Sequence, residues 1–221
     1  MPYTLTSAVI DAVRAHVARQ FHAGVVAHDV DHLQRVERNA QALAAAEGAD
    51  ADVVRLAALL HDYHRFEEAA LGRHVTPEEA QPQVDALLHR CGAAQSTVVH
   101  VAECIAFTER YRCAGDAIDA AGWSIEAKVV RDADMLDALG AVGIARAFMF
   151  GGRLGQPMWS NVEVNDRFVH GRTHSVVHHF HEKLFQLAGE MLTPGGRAMA
   201  AQRTRYMRAF IARLTREIAA G

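Results

Sequence analysis

Recurrent 3.6-residue apolar spacing, a succession of helix-start and helix-stop signals, and scarcely any strand-like alternation predict an all-α fold. At 221 residues, half of them hydrophobic, the chain can bury a sizeable core, and residues 1–221 read as one domain. Thr6 or Ser7 caps a first helix running to about Ala23, and Asp29 or Asp31 opens a second that ends near Gly48. Asp50 or Asp52 caps a third, which carries Leu56, Leu59 and Leu60 into His61-Asp62. Thr76-Pro77-Glu78-Glu79 combines a cap, Pro at the first helical position and Glu three residues on; that helix runs to about Cys91 and stops at Gly92. Ser96 caps the next, through Phe107, and Ser124 caps the helix that carries Asp132, Asp134 and Asp137 and ends near Gly140. Gly140 and Gly143 place small residues three apart, a spacing that lets helices approach closely. Helices from about Ser175 to Met191 and from Gly196 to Ala219 complete the set.

Two stretches resist this pattern. Residues 109–123 form a moderate loop, and Gly151 to Arg172 a longer one between the last helices. The longer loop contains Met158, Trp159 and Phe168, apolar side chains that seek burial, and it reads as a lid or pocket wall.

Composition excludes several classes. No apolar run approaches the roughly 18–20 residues that cross a bilayer, and Met1 to Ser7 lacks the features of a signal peptide. Cys91, Cys104 and Cys113 are odd in number and form no CxxC pair, so a reduced, cytoplasmic setting follows. A net charge of −3 argues against a nucleic-acid polymer as partner. Arg greatly outnumbers Lys, whose two examples are Lys128 and Lys183, but Ala is equally over-used, which points to base-composition bias. No Gly-Lys-Ser/Thr follows Gly140, no GxSxG elbow exists, and His181-Glu182 is followed by Phe185 where HExxH needs a second His. Oligomeric state leaves no trace in the sequence.

The chemistry concentrates where the apolar run Val53 to Leu60 ends in His61-Asp62. Burying a neutral polar group without a partner costs about 2–7 kcal/mol, and a charge costs more. A metal ion would offset that cost. Upstream stands His28-Asp29-Val30-Asp31-His32, and downstream Val129-Val130-Arg131-Asp132-Ala133-Asp134-Met135-Leu136-Asp137. His, then His-Asp, then Asp, each on a helix among apolar residues, can converge on one cation. Ions of the Mn, Fe, Co and Ni type accept mixed imidazole and carboxylate ligands. Such a set leaves coordination positions open for water and a phosphoryl oxygen, the arrangement for phosphoester or phosphoanhydride hydrolysis. A closed structural site would be tetrahedral and Cys-rich, which this chain cannot supply. Within the downstream stretch, residues advance about 100° each, so Asp132 and Asp134 point apart while Asp134 and Asp137 share a face.

These residues, in this order, resemble the HD-domain metal-dependent phosphohydrolases, in particular a bacterial branch of small single-domain members. The resemblance rests on residues 28–36, Leu59-Leu60-His61-Asp62 and residues 132–146, with residues 170–172 and 179–185 similar as well. It implies an HD-domain-like helical bundle and, by position, the metal ligands His32, His61, Asp62 and Asp134. It also implies one divalent ion (Mn, Mg, Ni or Co) and a small nucleotide-like phosphate as substrate. A nucleoside triphosphate split at a phosphoanhydride is the first expectation. 5′-Nucleotidase or phosphodiesterase action and a non-catalytic, metal-binding nucleotide sensor are the alternatives. Many relatives carry an acid three or four positions after the His-Asp pair, where this chain has Arg65 and Phe66. His64, Arg65 and Glu67 are therefore the candidate catalytic residues, with Arg65 also able to hold a phosphate. Arg35 and His28, each one turn from His32, and the scarce Lys183 are the substrate-binding candidates.

Overall fold

The computed structural model describes residues 7–20, 29–115, 118–164 and 173–219, and among these it contains helices and turns but no strand. The all-α expectation holds. The helices are α1 (Ser7–Gln20), α2 (Val30–Glu47), α3 (Ala51–Leu60), α4 (Tyr63–Leu71) and α5 (Pro77–Arg90). They continue with α6 (Gln95–Ile105), α7 (Ile125–Asp137), α8 (Gly140–Arg153), α9 (Val176–His179) and α10 (Pro194–Ala219). The chain divides into two compact units, Met1–Glu109 with Ala121–Asp134, and Arg110–Ala120 with Met135–Gly221. The boundary falls inside α7.

In the first unit α3 lies at the centre. The Asp50 carboxylate starts it by accepting the amides of Asp52 and Val53 at 2.9 and 3.2 Å. Val54, Leu56, Ala57 and Leu60 are fully buried because α1, α2 and α6 all pack on this helix. Each buried Leu contributes about 1.5–3 kcal/mol. A charge cluster pins the layers: buried Glu37 of α2 accepts Arg14 of α1 at 2.7 Å and Arg55 of α3 at 3.0 Å. The start of α2 is set by Asp29, whose carboxylate accepts the His32 amide at 2.8 Å, and its end by Gly48 at φ 71°. Thr76 caps α5 as its sequence indicates, accepting the Glu79 amide at 3.2 Å.

Local signals misplace three features. First, α3 does end at His61-Asp62 as its apolar run indicates, but the separate helix α4 that follows is not marked. Second, Ala94 rather than Ser96 stands at the start of α6, and that helix ends at Ile105. Third, in the second unit, the continuous helix expected from Ser175 to Met191 is broken. Only Val176–His179 is α-helical, followed by a π turn over Phe180–Leu184 and a 3₁₀ turn over Leu187–Glu190. The Phe185 amide reaches back to the Phe180 carbonyl at 2.9 Å, and the Gln186 side chain takes up the carbonyls of Glu182 and His181 at 2.7 and 3.3 Å.

The expected loop from Gly151 begins later than its glycines suggest, since α8 runs on to Arg153. Its first part is tied down: the amides of Val176 and Val177 donate to the carbonyls of Pro157 and Met158 at 3.0 and 3.1 Å. His178, buried, donates from Nε2 to the Val162 carbonyl at 3.0 Å and accepts the Ser175 hydroxyl at Nδ1 at 2.7 Å. Met158 and Trp159 are nevertheless substantially exposed, so the burial expected of them is not found. Residues 165–172, with Phe168, His170 and Arg172, lie outside the described residues.

Candidate metal centre

His32, His61, Asp62 and Asp134 all belong to the first unit, and their side chains converge. The Nε2 atoms of His32 and His61 face each other at 3.3 Å. Asp62 Oδ2 lies 3.2 Å from the first and 3.4 Å from the second. Asp134 Oδ1 is 3.5 Å from both. Two metal–ligand bonds of about 2.1 Å span this separation comfortably.

Each of the four side chains is delivered by a local device. Asp29 fixes the first turn of α2 and so His32. The break after Leu60 turns both His61 and Asp62 inward, where they are only 2% and 3% exposed. On the far side, the Asn39 amide of α2 donates to the Ala133 carbonyl at 3.2 Å, tying α7 beside α2 next to Asp134. His61 Nδ1 donates to the Ala58 carbonyl at 2.9 Å, which leaves the Nε2 lone pair aimed at the cluster.

The electrostatics call for a cation. Burial alone would push the His61 imidazole down, but Asp62 and Asp134 override it and lift it to about 10. Burial likewise opposes ionisation of Asp134, and the two imidazoles outweigh it and hold the carboxyl below its ordinary range. Two imidazoles and two carboxylates, all near enough to bind one ion, are the donor chemistry a divalent transition metal or Mn²⁺ accepts. The residues present fit such an ion.

A second group adjoins the first. One donor atom from each of Asp62, His64 and Glu109 lies within 4.8 Å of the others. His64 is 1% exposed; its Nε2 stands 3.2 Å from Glu109 Oε1, yet neither ring nitrogen makes an aligned hydrogen bond. Arg65 donates to Glu109 Oε1 at 2.5 Å and to Glu68 Oε2 at 2.9 Å. Burial pushes the Glu109 carboxyl up, but His64 and Arg65 more than compensate and hold it low.

Of the catalytic candidates, the structure thus brings His64 and Arg65 to the metal-binding cluster. Glu67 lies outside it: burial raises its carboxyl, and the charges acting on it are those of Arg73 and Glu79. The carboxylate that does join is Glu109. No motif marked it, because it sits at the start of the irregular 109–123 stretch, far in sequence from the residues it meets. Arg35 is half-buried on α2, one turn beyond His32. Lys183 belongs to the second unit, where its ammonium lies 4.1 Å from the centre of the Tyr111 ring. His28 lies outside the described residues. In the second unit, Asp137 pairs with Arg146 at 2.7 Å.

No family model matches the chain. It is 33% identical to the uncharacterized protein YpgQ of Bacillus subtilis over 192 residues, 86% of this chain and 84% of that one. The crystal structure of YpgQ in complex with ADP is similar at a TM-score of 0.71, covering 95% of this chain and 94% of that one. A protein of Lactobacillus plantarum, 28% identical, matches at a TM-score of 0.80 over 99% of this chain and 100% of its own. An HD-superfamily hydrolase of Bacillus thuringiensis, 31% identical, matches at 0.73 over 96% of this chain and 97% of its own. The all-helical fold and the His, His-Asp, Asp centre define a metal-binding hydrolase. The chain belongs to the HD superfamily of metal-dependent phosphohydrolases.

Proposed function

We propose that the chain hydrolyses a phosphoanhydride bond in a small nucleotide, with a nucleoside triphosphate cut to monophosphate and pyrophosphate as the first-choice substrate. The observation that carries this reading is the buried cluster in which the His32 and His61 Nε2 atoms lie within 3.5 Å of each other and of the Asp62 and Asp134 carboxylates. The ADP bound to the relative YpgQ supports a nucleotide as the substrate class.

His32, His61, Asp62 and Asp134 would hold one divalent ion, Mn, Mg, Ni or Co, which when bound acidifies water and neutralises phosphoryl charge. The chain's own residues prepare that site. The Ala58 carbonyl locks the His61 tautomer, so its lone pair needs no reorientation. Asp29 and Asn39 fix the helices that deliver His32 and Asp134. Glu68 and Glu109 hold the Arg65 guanidinium beside Asp62, where it can meet a substrate phosphate, and Arg35 offers a further contact from α2.

The test is a panel of nucleoside mono-, di- and triphosphates with each metal, reading phosphate, pyrophosphate and nucleoside as separate products. Pyrophosphate released in equal amount to monophosphate supports the reading. Phosphate and nucleoside from monophosphates would instead make the chain a 5′-nucleotidase. Nucleotide binding without turnover under every metal would make it a sensor.

A further inference from the structure

We propose that the outer face of α8 is a dimer interface, paired with the same face of a second copy of this chain. The proposal is independent of the hydrolase reading and stands on residues 140–159 of the second unit.

Three observations carry it. The first is composition. A surface helix turns charged and polar residues to solvent, but the only charged residues among the 14 of α8 are Arg146 and Arg153, and Arg146 is engaged with Asp137. The outer face is instead made of Val142, Ala145, Met149 and Gly152, all exposed. The second is area. Val142, Met149 and Phe150 of α8, with Leu154, Met158 and Trp159 just beyond it, are each 39–65% exposed. A large apolar side chain offers about 150–250 Å², so these six leave on the order of 600 Å² of apolar surface uncovered. That stands at the top of the range of roughly 300–600 Å² for the largest patch on a monomer. It also supplies most of the roughly 800 Å² that each partner buries in a stable interface.

The third is self-complementarity. At about 100° per residue, Val142, Ala145, Met149 and Gly152 fall in one sector about 80° wide. Laid antiparallel about its middle, the face sets Met149 over Ala145 of the second copy and Val142 over its Gly152. Each larger side chain then meets a small one, twice by the two-fold symmetry. Among the described residues nothing requires Gly152 to be small, since a Cβ there would meet nothing within 4 Å. At Gly143 and Gly151 it would instead meet Ala138 and Val176, at 2.2 and 2.3 Å. Charge does not oppose the pairing. The two Arg153 residues fall at opposite ends, about 18 Å apart along the axis and beyond the screening length of about 8 Å at physiological salt. The Arg-rich α10 packs on the opposite side of α8, where a Cβ on Gly140 would meet Arg203 at 3.2 Å.

The test is sedimentation equilibrium of the full-length protein over micromolar concentrations, at low and high salt. Wild type sediments at twice the chain's 24.2 kDa and does not dissociate as salt rises, because the contact is apolar. Met149→Arg sets a charge into that contact and raises the dimer dissociation constant by about 100-fold or more. Gly152→Val fills the space that Val142 of the second copy occupies and raises it by about tenfold or more. Both variants keep the circular dichroism spectrum of wild type, which separates lost pairing from lost folding. Wild type that is monomeric throughout overturns the proposal, as does a dimer that both variants leave intact. A monomer that co-sediments with phosphatidylglycerol vesicles also overturns it, and makes the face a lipid-binding one.

Discussion

His61 shows how much of the site is decided by single hydrogen bonds. With Nδ1 held by the Ala58 carbonyl, only Nε2 can take a proton or a metal from the cluster side. In the metal-free protein that nitrogen keeps a proton up to about pH 10. A metal must displace this proton, so raising pH toward 10 favours metal and lowering it favours the proton. Apparent metal affinity is expected to rise about tenfold per pH unit between 7 and 9, with close to one proton released per ion, measurable by calorimetry in buffers of different ionisation enthalpy. A pH-independent affinity would contradict it. Asp134→Asn is expected to cut metal affinity by orders of magnitude. Asp132, fully buried and about 160° around α7 from Asp134, is expected on substitution to Asn to lower the melting temperature while leaving the metal isotherm nearly intact. The converse result would exchange the roles of the two aspartates. That His32, His61, Asp62 and Asp134 come together was legible from their motifs and the family resemblance those motifs carry. Glu109 was not, since its place beside His64 depends on how α6 ends, and nothing near Glu109 in sequence encodes that.

At the scale of the element, most caps were readable, while Ser96 and the start of α4 were not. Asp29, Asp50 and Thr76 act through bonds spanning two or three residues, a range that lies wholly within the local sequence. Thr76→Ala is expected to cost about 1 kcal/mol in urea unfolding, with no change in metal binding. The start of α4, by contrast, carries no such signal, because Asp62 makes no side-chain cap hydrogen bond there. The π turn after α9 is equally unannounced. The spacing of Gly140 and Gly143 did signal close approach: a Cβ on Gly140 would meet the Arg203 side chain of α10 at 3.2 Å. A Cβ on Gly143 would stand 2.2 Å from the Ala138 carbonyl oxygen, in the turn that leads from α7 into α8. Gly143→Ala is expected to destabilise by about 1–3 kcal/mol, the usual cost of overpacking. A melting temperature equal to wild type would show that the turn can give way.

Over the whole molecule, all four proposed ligands lie in one of the two compact units. An ion present at a hundred times its dissociation constant stabilises the state that binds it by about 2.7 kcal/mol. Hydrogen exchange with and without Mn²⁺ is expected to show the added protection concentrated in α2, α3, the start of α4 and α7. The helices α8 and α10, which lie in the other unit, should change least. Protection gained equally in both units would mean that the ion stabilises the chain as one cooperative body. The overall fold class needed only the apolar periodicity. The division into two units did not show in composition, because no Pro- or Gly-rich linker marks it and the boundary runs through a single helix.

The placement of the ligands at helix ends has a consequence for how this protein can diverge. His32 stands in the first turn of α2, His61 and Asp62 in the gap between α3 and α4, and Asp134 in the last turn of α7. The far end of each helix can therefore exchange residues, or gain and lose a turn, without rotating a ligand. An insertion within the anchored turn would swing it by about 100°. Drift is thus channelled toward helix bodies and distal loops while a handful of terminal positions stay put. Relatives that share only 28–33% of their residues can keep one fold on those terms.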